Sequence, residues 1–239
     1  MQVKQCRHGR LMFYDNDLYI GRCLHQTGLY SEEEIQLWDQ IIRPGWHVID
    51  VGANLGAHTV WFAKAVGKSG QVYAFEPQRQ MYQMLLGNLA LNEITNTNVM
   101  LAAVGDDNRV TRVRPIDYAA ETNFGGVFVE CDAGPEVPLV KIDSLGIARA
   151  DFIKVDVEGM EAAVLRGAMQ TIVRCNPVLY LENDRTEKSD ELVALVRELG
   201  YQPYKHHPVL NAEVFGNQIV SFNMLCVRPG TKVVGLQVI

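Results

Sequence analysis

The stretch HVIDVGANLGAHTVWFAKAVGKSGQVYAFEP, from His47 to Pro77, decides the fold of this chain. Its apolar pattern predicts a short buried strand at Val48–Val51, a turn with two glycines, and a helix from Ala57 to Val66. A second strand, Val72–Phe75, is followed directly by Glu76. A strand, a glycine turn, a helix and a strand that leads to a carboxylate are typical of a unit that binds a nucleoside-containing cofactor.

The alternation of strand and helix continues beyond this unit. Further strands are predicted at Val99–Val104, Asp151–Asp156 and Val178–Leu181, with a final antiparallel pair formed by Tyr201–Tyr204 and Ile219–Val227. Such alternation predicts an α/β fold in which one mostly parallel sheet carries helices on both faces.

Two regions depart from this pattern. Residues 108–142 contain short β-prone pieces, which we interpret as a β-hairpin insertion rather than a second domain. Residues 1–30 are expected to be irregular, with a hairpin near Asp15–Asp17. They are a candidate lid over the acceptor, the molecule that would react with the bound cofactor. We therefore expect one domain at residues 31–239, whose first helix begins with a capping box of Ser31 and Glu34.

Composition limits the classes of partner. The formal net charge of −6 and the lack of a basic run argue against a nucleic-acid partner, since phosphate neutralisation needs clustered Lys and Arg. No apolar run reaches the length of a membrane span, and the N-terminal residues MQVKQCRHGR lack an apolar signal segment. The five cysteines are scattered, which indicates reduced thiols. We expect a cytoplasmic protein without a membrane partner. The composition is compatible with either a monomer or a homo-oligomer.

The glycine turn indicates the type of cofactor. Its sequence, Asp50-Val51-Gly52-Ala53-Asn54-Leu55-Gly56, follows the pattern D-x-G-x-N-x-G and not the dinucleotide pattern G-x-G-x-x-G. The charge of Asp50 opposes a pyrophosphate and suits a cation. S-adenosylmethionine fits this requirement, because it carries a sulfonium and an ammonium group and no phosphate. Gly52 and Gly56 would let the ligand approach the backbone. The alternative for Asp50 is a buried acid that ties the turn amides together.

Glu76 lies about twenty residues beyond the turn, where an acidic residue commonly accepts hydrogen bonds from both ribose hydroxyls. The alternative is that Glu76 caps the helix that begins at Pro77. His58 and Thr59, at the start of the first helix, are candidates for cofactor contacts, or else a solvated side chain and a helix cap.

Four motifs resemble one known family: VIDVGANLG at Val48–Gly56, YAFEP at Tyr73–Pro77, VKIDSL at Val140–Leu145, and DFIKVDVEGMEAAVLRGA at Asp151–Ala168. The chain resembles the FkbM-type S-adenosylmethionine-dependent methyltransferases. The resemblance implies a Rossmann-like, seven-stranded class I methyltransferase sheet and O-methylation of a hydroxyl on a small molecule, sugar or natural product. It does not identify the acceptor.

The resemblance also places the end of the third strand beside the adenine. The predicted cofactor-binding residues are therefore Asp50, Gly52, Ala53, Asn54, Gly56, His58, Thr59, Glu76, Pro77, Ala103, Val104 and Asp156.

A second group of polar residues surrounds the strand at Asp151–Asp156. Lys154 lies in mid-strand, and its buried ammonium needs a partner, for which Asp156 and Glu182 are candidates. Asp156 and Glu158 follow the carboxyl end of the strand, where ligands bind in open α/β sheets. We predict Asp156, Glu158 and Lys154 as catalytic residues, with one carboxylate accepting the proton of the acceptor. The alternative is a structural ion-pair network.

The ends of adjacent strands also raise the question of a metal. Asp156, Glu182 and Asn183 are weak candidates for ligands of a divalent cation, since these positions resemble the magnesium site of catechol-type O-methyltransferases. The alternative is that Glu182 pairs with Lys154, while Asn183 and Asp184 cap the following loop.

Two rival functions remain. A nicotinamide-dependent oxidoreductase would share the fold, but Asp50 and Asn54 replace the phosphate-binding pattern. A non-catalytic S-adenosylmethionine-binding or scaffold protein would keep the fold without activity.

Overall fold

The structure is a computed structural model that describes residues 1–239. In chain order its elements are β1 (Gln2–Cys6), β2 (Gly9–Phe13), α1 (Ile20–Gln26), α2 (Glu32–Ile41), β3 (His47–Val51), α3 (Ala57–Val66), β4 (Gln71–Phe75), α4 (Arg79–Leu91), β5 (Thr97–Met100), β6 (Ala103–Val104), β7 (Arg109–Arg112), β8 (Glu136–Val140), β9 (Phe152–Val155), α5 (Glu161–Gly167), α6 (Met169–Cys175), β10 (Val178–Glu182), α7 (Thr186–Glu198), β11 (Gln202–His206), α8 (Ala212–Phe215), β12 (Asn223–Val227) and β13 (Gln237–Val238).

The central sheet has eight strands in the order β13-β11-β12-β10-β9-β3-β4-β5. Strands β5, β4, β3, β9 and β10 are parallel, whereas β12 runs antiparallel to both of its neighbours. The predicted α/β class and the antiparallel C-terminal strand are confirmed. The predicted number of seven strands is wrong by one, because Gln237–Val238 adds a two-residue strand at the outer edge.

The predicted strand at Val99–Val104 is in fact two strands. After β5 the chain leaves the central sheet, and β6 pairs with β8 in a separate three-stranded sheet. Within that sheet β7 and β8 form the predicted antiparallel hairpin of the insertion. The long connection between them, residues 113–135, supplies one wall of the main cavity.

The N-terminal segment is not irregular. Strands β1 and β2 pair as a regular antiparallel hairpin, several residues before the predicted one. Strand β2 is fixed to α4 by Asn88, whose Oδ1 accepts from the Met12 amide at 2.6 Å and whose Nδ2 donates to the Met12 carbonyl at 3.0 Å. The hairpin was missed because each strand has only five residues and neither alternates polar and apolar residues, so the sequence carries a weak strand signal.

The side chains of β3 and β9 alternate across the sheet. Ile49 and Ile153 pack into the apolar cluster on one face, and Val48 and Phe152 pack into the cluster on the other, around Trp38. The second face also receives the polar side chains that approach the carboxyl edge. None of the helices combines the length and hydrophobicity that a membrane span requires, and the five cysteines are free thiols, as expected.

Candidate functional site

A cavity of about 470 Å³ opens at the carboxyl edge of the central sheet. This is the edge where ligands bind in open α/β folds. Its walls come from the turn after β3, the end of β4, the insertion, the ends of β9 and β10, the N-terminal segment and the segment before β12. The residues that line it are Tyr19, Ile20, Tyr30, Gly52, Ala53, Asn54, Leu55, Ala57, His58, Glu76, Pro77, Gln78, Asn123, Gly125, Gly126, Val127, Phe128, Val129, Lys154, Asp156, Val157, Glu158, Met160, Glu182, Asp184, Arg185, Leu210, Ile219, Val220 and Ser221.

At both glycines of the turn, other atoms of the protein occupy the space that a side chain would need. Gly52 has φ +80°, and a Cβ there would lie 1.9 Å from the Asp156 carbonyl oxygen. Gly56 has φ +89°, and a Cβ there would lie 2.4 Å from Leu85 Cδ1. The expectation that both glycines admit the ligand is therefore corrected. Gly52 lines the cavity, but Gly56 packs against α4 instead.

Ala53 and Asn54 form the part of the turn that faces the cavity. Asn54 has φ +51°, a left-handed conformation that Asn tolerates better than most residues. Its Oδ1 accepts from the Leu55 amide at 2.7 Å, and its own amide donates to Glu76 Oε2 at 2.8 Å. The turn is thus tied to the end of β4.

Glu76 is 2 % exposed and lines the cavity beside Pro77. Its second oxygen, Oε1, accepts from the Gln78 amide at 2.8 Å, so Glu76 does cap the start of α4. Each oxygen has one amide donor and keeps further acceptor capacity, which fits a pair of ribose hydroxyls. Burial raises the pKa of Glu76 to about 7, against the two amide hydrogen bonds that lower it.

Asp50 does not face the cavity. It is fully buried, and its Oδ2 accepts from Thr59 Oγ1 at 2.6 Å. Its Oδ1 lies 3.4 Å from Lys154 Nζ. The cation that Asp50 meets is therefore a lysine of β9 and not a ligand, and Asp50 and Thr59 lie outside the cavity lining.

Lys154 is the centre of an ion-pair network. Its Nζ lies 3.1 Å from Asp156 Oδ2 and donates to the Gly52 carbonyl at 3.3 Å. Of the two predicted partners, Asp156 forms the ion pair and Glu182 does not. Burial by itself lowers the pKa of Lys154, but Asp156, Asp50 and Glu34 raise it well above its usual value, so the lysine stays charged. Its carboxylate partner Asp156 lies partly exposed in the cavity wall.

His58 lines the cavity and is 6 % exposed, so a solvated side chain is ruled out. Its ring stacks on Tyr30, with centroids 5.0 Å apart, and meets Trp38 edge-on. Burial, followed by the charge of Lys154, lowers the pKa of His58 well below its usual value, which keeps the ring neutral.

The predicted capping box of α2 does not form. Ser31 adopts φ +49° and caps no amide; its hydroxyl contacts the carboxylate of Glu34 instead. Glu34 is buried and also accepts from Asn223 Nδ2 at 2.8 Å. Burial raises the pKa of Glu34 to about 7.

Acidic residues dominate the other end of the cavity. Glu158 forms an ion pair with Arg185, and Arg185 Nε also lies 3.5 Å from Asp184 Oδ1. The Arg185 guanidinium lies 5.5 Å from the centre of the Phe128 ring. Burial, and then the charges of Asp156, Asp184 and Glu161, raise the pKa of Glu182 to about 10. Burial and the neighbouring acids therefore favour the protonated form of Glu182.

The metal candidates are not brought together. Asn183 Nδ2 donates to Ser189 Oγ at 2.9 Å, which is the alternative of a loop cap. No group of three or more His, Cys, Asp or Glu side chains has the arrangement of a metal site. Asp156 and Glu182 both line the cavity, but Asn183 does not.

Ala103 and Val104 are also placed differently from the expectation. Both are buried in β6 of the small sheet and do not reach the cavity lining. The sequence placed them at the end of the third strand of the central sheet, which stops earlier, at Met100.

Several lining residues were not predicted. Gln78 follows Pro77 directly, and Arg185 is the one cation in the acidic loop after β10, so both had a local signal. Phe128 and the residues before β12 had none, because only the fold brings them to this edge.

A family model described as "Methyltransferase FkbM domain" matches residues 50–203. Three solved structures show similar folds. Methyltransferase FkbM from Methylobacillus flagellatus KT has a TM-score of 0.51 at 16% identity; the match covers 80% of this chain and 50% of that protein, so this chain spans about half its length.

The precorrin-6y C5,15-methyltransferase from Geobacter metallireducens GS-15 has a TM-score of 0.54 at 10% identity, and the match covers 91% of this chain and 98% of that one. Aeropyrum pernix fibrillarin, solved with bound S-adenosyl-L-methionine, has a TM-score of 0.52 at 12% identity, with 82% of this chain and 74% of that chain covered. At these identities the likeness shows the fold alone.

Proposed function

This chain belongs to the FkbM methyltransferase family, and we propose that it transfers the methyl group of S-adenosylmethionine to a hydroxyl on a small molecule, sugar or natural product. One observation carries the proposal. A single cavity joins Glu76, which has free acceptor capacity, to Asp156, which is held by a charged lysine.

The residues at one end of the cavity fit the cofactor. Glu76 would accept the ribose hydroxyls, while Ala53 and Asn54 would contact the amino-acid portion. Five carboxyl side chains and two cationic side chains line the cavity, and this excess of acid suits a cationic cofactor. Bound there, S-adenosylmethionine would supply an activated methyl group, so that the protein mainly aligns the acceptor and accepts its proton.

Asp156 is the best placed of the predicted bases. Lys154 holds its carboxylate at the cavity, with Nζ 3.1 Å from Asp156 Oδ2. Glu158 is paired with Arg185, and burial with neighbouring acids favours the protonated form of Glu182. We assign to Asp156 the acceptance of the hydroxyl proton. The acceptor oxygen would bond to the methyl carbon as the bond from that carbon to the sulfonium sulfur breaks, and S-adenosylhomocysteine would leave as the neutral thioether.

The charges also restrict the acceptor. Lys154 and Arg185 are the two cations of the cavity, and each is already paired with two carboxylates. No unpaired cation in the lining is available for a phosphate or carboxylate group. We therefore propose a neutral or cationic acceptor with a free hydroxyl. Tyr19, Ile20 and Tyr30 bring the N-terminal segment to this cavity, which supports a role of that segment beside the acceptor.

The proposal is tested by incubating the protein with S-adenosylmethionine and a panel of matched acceptors, and measuring S-adenosylhomocysteine. The panel contains neutral sugars, amino sugars, their phosphorylated forms and amines without hydroxyls. Product should form with a neutral or amino sugar, and NMR should locate the methyl group on oxygen. Turnover of the phosphorylated forms alone, or methylation at nitrogen, would contradict the proposal. Exhaustive chelation in the same assay tests a metal requirement, which would appear as lost activity.

A further inference from the structure

The N-terminal segment contacts the insertion through Asp17, which is 3 % exposed. Its Oδ1 accepts from the Phe124 amide at 3.1 Å, and its Oδ2 accepts from the Gly21 amide at 2.8 Å. No Lys or Arg side chain pairs with this carboxylate within the chain, and main-chain amides supply its hydrogen bonds. Asp17 thus joins the start of α1 to a loop 107 residues further along the sequence.

Neighbouring residues strengthen the same contact. Asn16 Nδ2 donates to the carbonyls of Tyr118 and Ala120, at 3.0 Å and 2.8 Å, and the Leu18 amide donates to the Thr122 carbonyl at 3.1 Å.

An aromatic cluster lies beside these hydrogen bonds. The buried Phe124 ring meets Tyr14 and Tyr118 edge-on, with centroids 5.5 Å and 5.0 Å away. The loop is therefore held by polar contacts to residues 16–18 and by apolar contact with Tyr14.

The far side of the Phe124 peptide is connected to the predicted ribose acceptor. The Phe124 carbonyl accepts from the side-chain Nε2 of Gln78 at 3.0 Å, and the main-chain amide of Gln78 donates to Glu76 Oε1 at 2.8 Å. Tyr118 Oη donates to Gln78 Oε1 at 2.8 Å, so the loop orients both polar atoms of the Gln78 side chain. A continuous series of hydrogen bonds leads from Asp17 through Phe124 and Gln78 to Glu76.

The residues after Phe124 lie against the cofactor end of the cavity. Gly125 and Gly126 line it, and a Cβ at Gly125 would lie 3.5 Å from Asn54 Nδ2. We infer that Asp17 is a positioning residue for the cofactor: it fixes the Phe124 peptide, and through it the loop wall and the orientation of Glu76. This inference rests on the proposed function, because it assumes that the cofactor occupies the Glu76 end.

The experiment compares Asp17→Ala and Asp17→Asn with Asp15→Asn in the full-length protein. Asp15 lies in the same segment but contacts Gln2 and the N-terminal amine, so its variant is a matched control. Asp17→Ala should raise the dissociation constant of S-adenosylhomocysteine and the KM for S-adenosylmethionine about tenfold, with kcat at saturation changed less than about twofold. Asp17→Asn keeps one acceptor oxygen and should have a smaller effect.

Amide hydrogen exchange without any ligand provides a second measurement. Asp17→Ala should accelerate exchange across residues 118–126 and leave the central strands protected. A variant that only lowers the melting temperature, with unchanged affinity in its folded fraction and an unchanged loop, would overturn the inference. If the wild-type protein bound no S-adenosylhomocysteine, the proposed function and the cofactor role would fail together, while loop exchange would still report whether Asp17 holds the loop.

Discussion

Lys154 Nζ lies 3.4 Å from Asp50 Oδ1, so the acid that precedes the glycine turn forms an ion pair with a lysine of the neighbouring strand. The two residues face each other across the parallel pair of β3 and β9. The same ammonium reaches Asp156 in the cavity. One cation therefore links Asp50, the acid before the glycine turn, to the carboxylate that we propose as the base.

Replacement of Lys154 should destabilise the protein strongly. Lys154→Met leaves Asp50 buried without a cation, which should lower the free energy of unfolding by about 3–5 kcal/mol. Adding Asp50→Asn should recover most of the loss, because the amide still accepts from Thr59. Urea unfolding measures both variants, with Lys68→Met as the exposed control. A single variant as stable as the wild type would show that the ion pair contributes little.

Removal of the Glu76 carboxylate should weaken cofactor binding. Glu76→Ala loses the proposed ribose acceptors and leaves the amides of Asn54 and Gln78 unpaired. With about 1.5–3 kcal/mol for each of two hydrogen bonds to a charged group, the dissociation constant of S-adenosylhomocysteine should rise about 10²–10⁴-fold. Calorimetry measures it, and Glu136→Ala removes an exposed acid as the control. An unchanged dissociation constant would remove Glu76 from the ribose site.

Cofactor binding should depend on pH through the same residue. The pKa of Glu76 is raised to about 7 by burial, and hydroxyl donors prefer the ionised carboxylate. Affinity for S-adenosylhomocysteine should therefore increase as pH rises through 7, by about tenfold between about pH 6 and about pH 8. Glu76→Gln should flatten the profile. An affinity that falls over this range would contradict the assignment.

Loss of the proposed base should slow the chemical step. Asp156→Asn keeps the size of the side chain but cannot accept the hydroxyl proton in the same way, so the single-turnover rate should fall about 10²–10⁴-fold. Asp190→Asn, an exposed acid on α7, is the control and should have no effect. A rate within a few-fold of the wild type would mean that another group, or water, takes the proton.

Stability should decrease from mildly acidic to neutral pH. Burial raises the pKa of Glu34, Glu76 and Glu161 to about 7 from an ordinary value of 4.5. The folded state thus binds more protons than the unfolded state between these values. Its extra stability is complete below the unfolded pKa and is lost as pH rises through the folded pKa. We expect a loss of about 2 kcal/mol for each of these groups, or about 5 kcal/mol in all, between about pH 5.5 and about pH 7.5.

Chemical denaturation across this range measures the effect, and Glu34→Gln should reduce the slope. An unfolding free energy that rises with pH would show that these carboxyl groups are ionised in the folded protein.

The sequence predicted the strand–turn–helix–strand unit from β3 to β4 well, because its signals are local. The strand, turn and helix around Gly52 and the strand before Glu76 depend on neighbours within about thirty residues. The role of Asp50 could not be read in this way. Its partner lies on β9, and only the register of two strands far apart in sequence brings them together.

Non-local pairing also explains the other errors. Ala103 and Val104 continue an apolar run, but the chain changes sheets before them, and no residue pattern marks that exit. Asp17 looked like part of a turn, since its partner Phe124 lies in the insertion. In each case the decisive contact joins segments that the sequence keeps apart.

The close approach of Gly52 to the Asp156 carbonyl affects how relatives of this protein should be compared. A side chain at position 52 would push apart the strand ends that carry the two halves of the site. Selection on packing alone would therefore preserve this glycine, even in a relative that has lost its cofactor. The identity of residue 52 reports a sound fold, whereas residues 76 and 156, which we propose as the ribose acceptor and the base, are the positions to compare for activity.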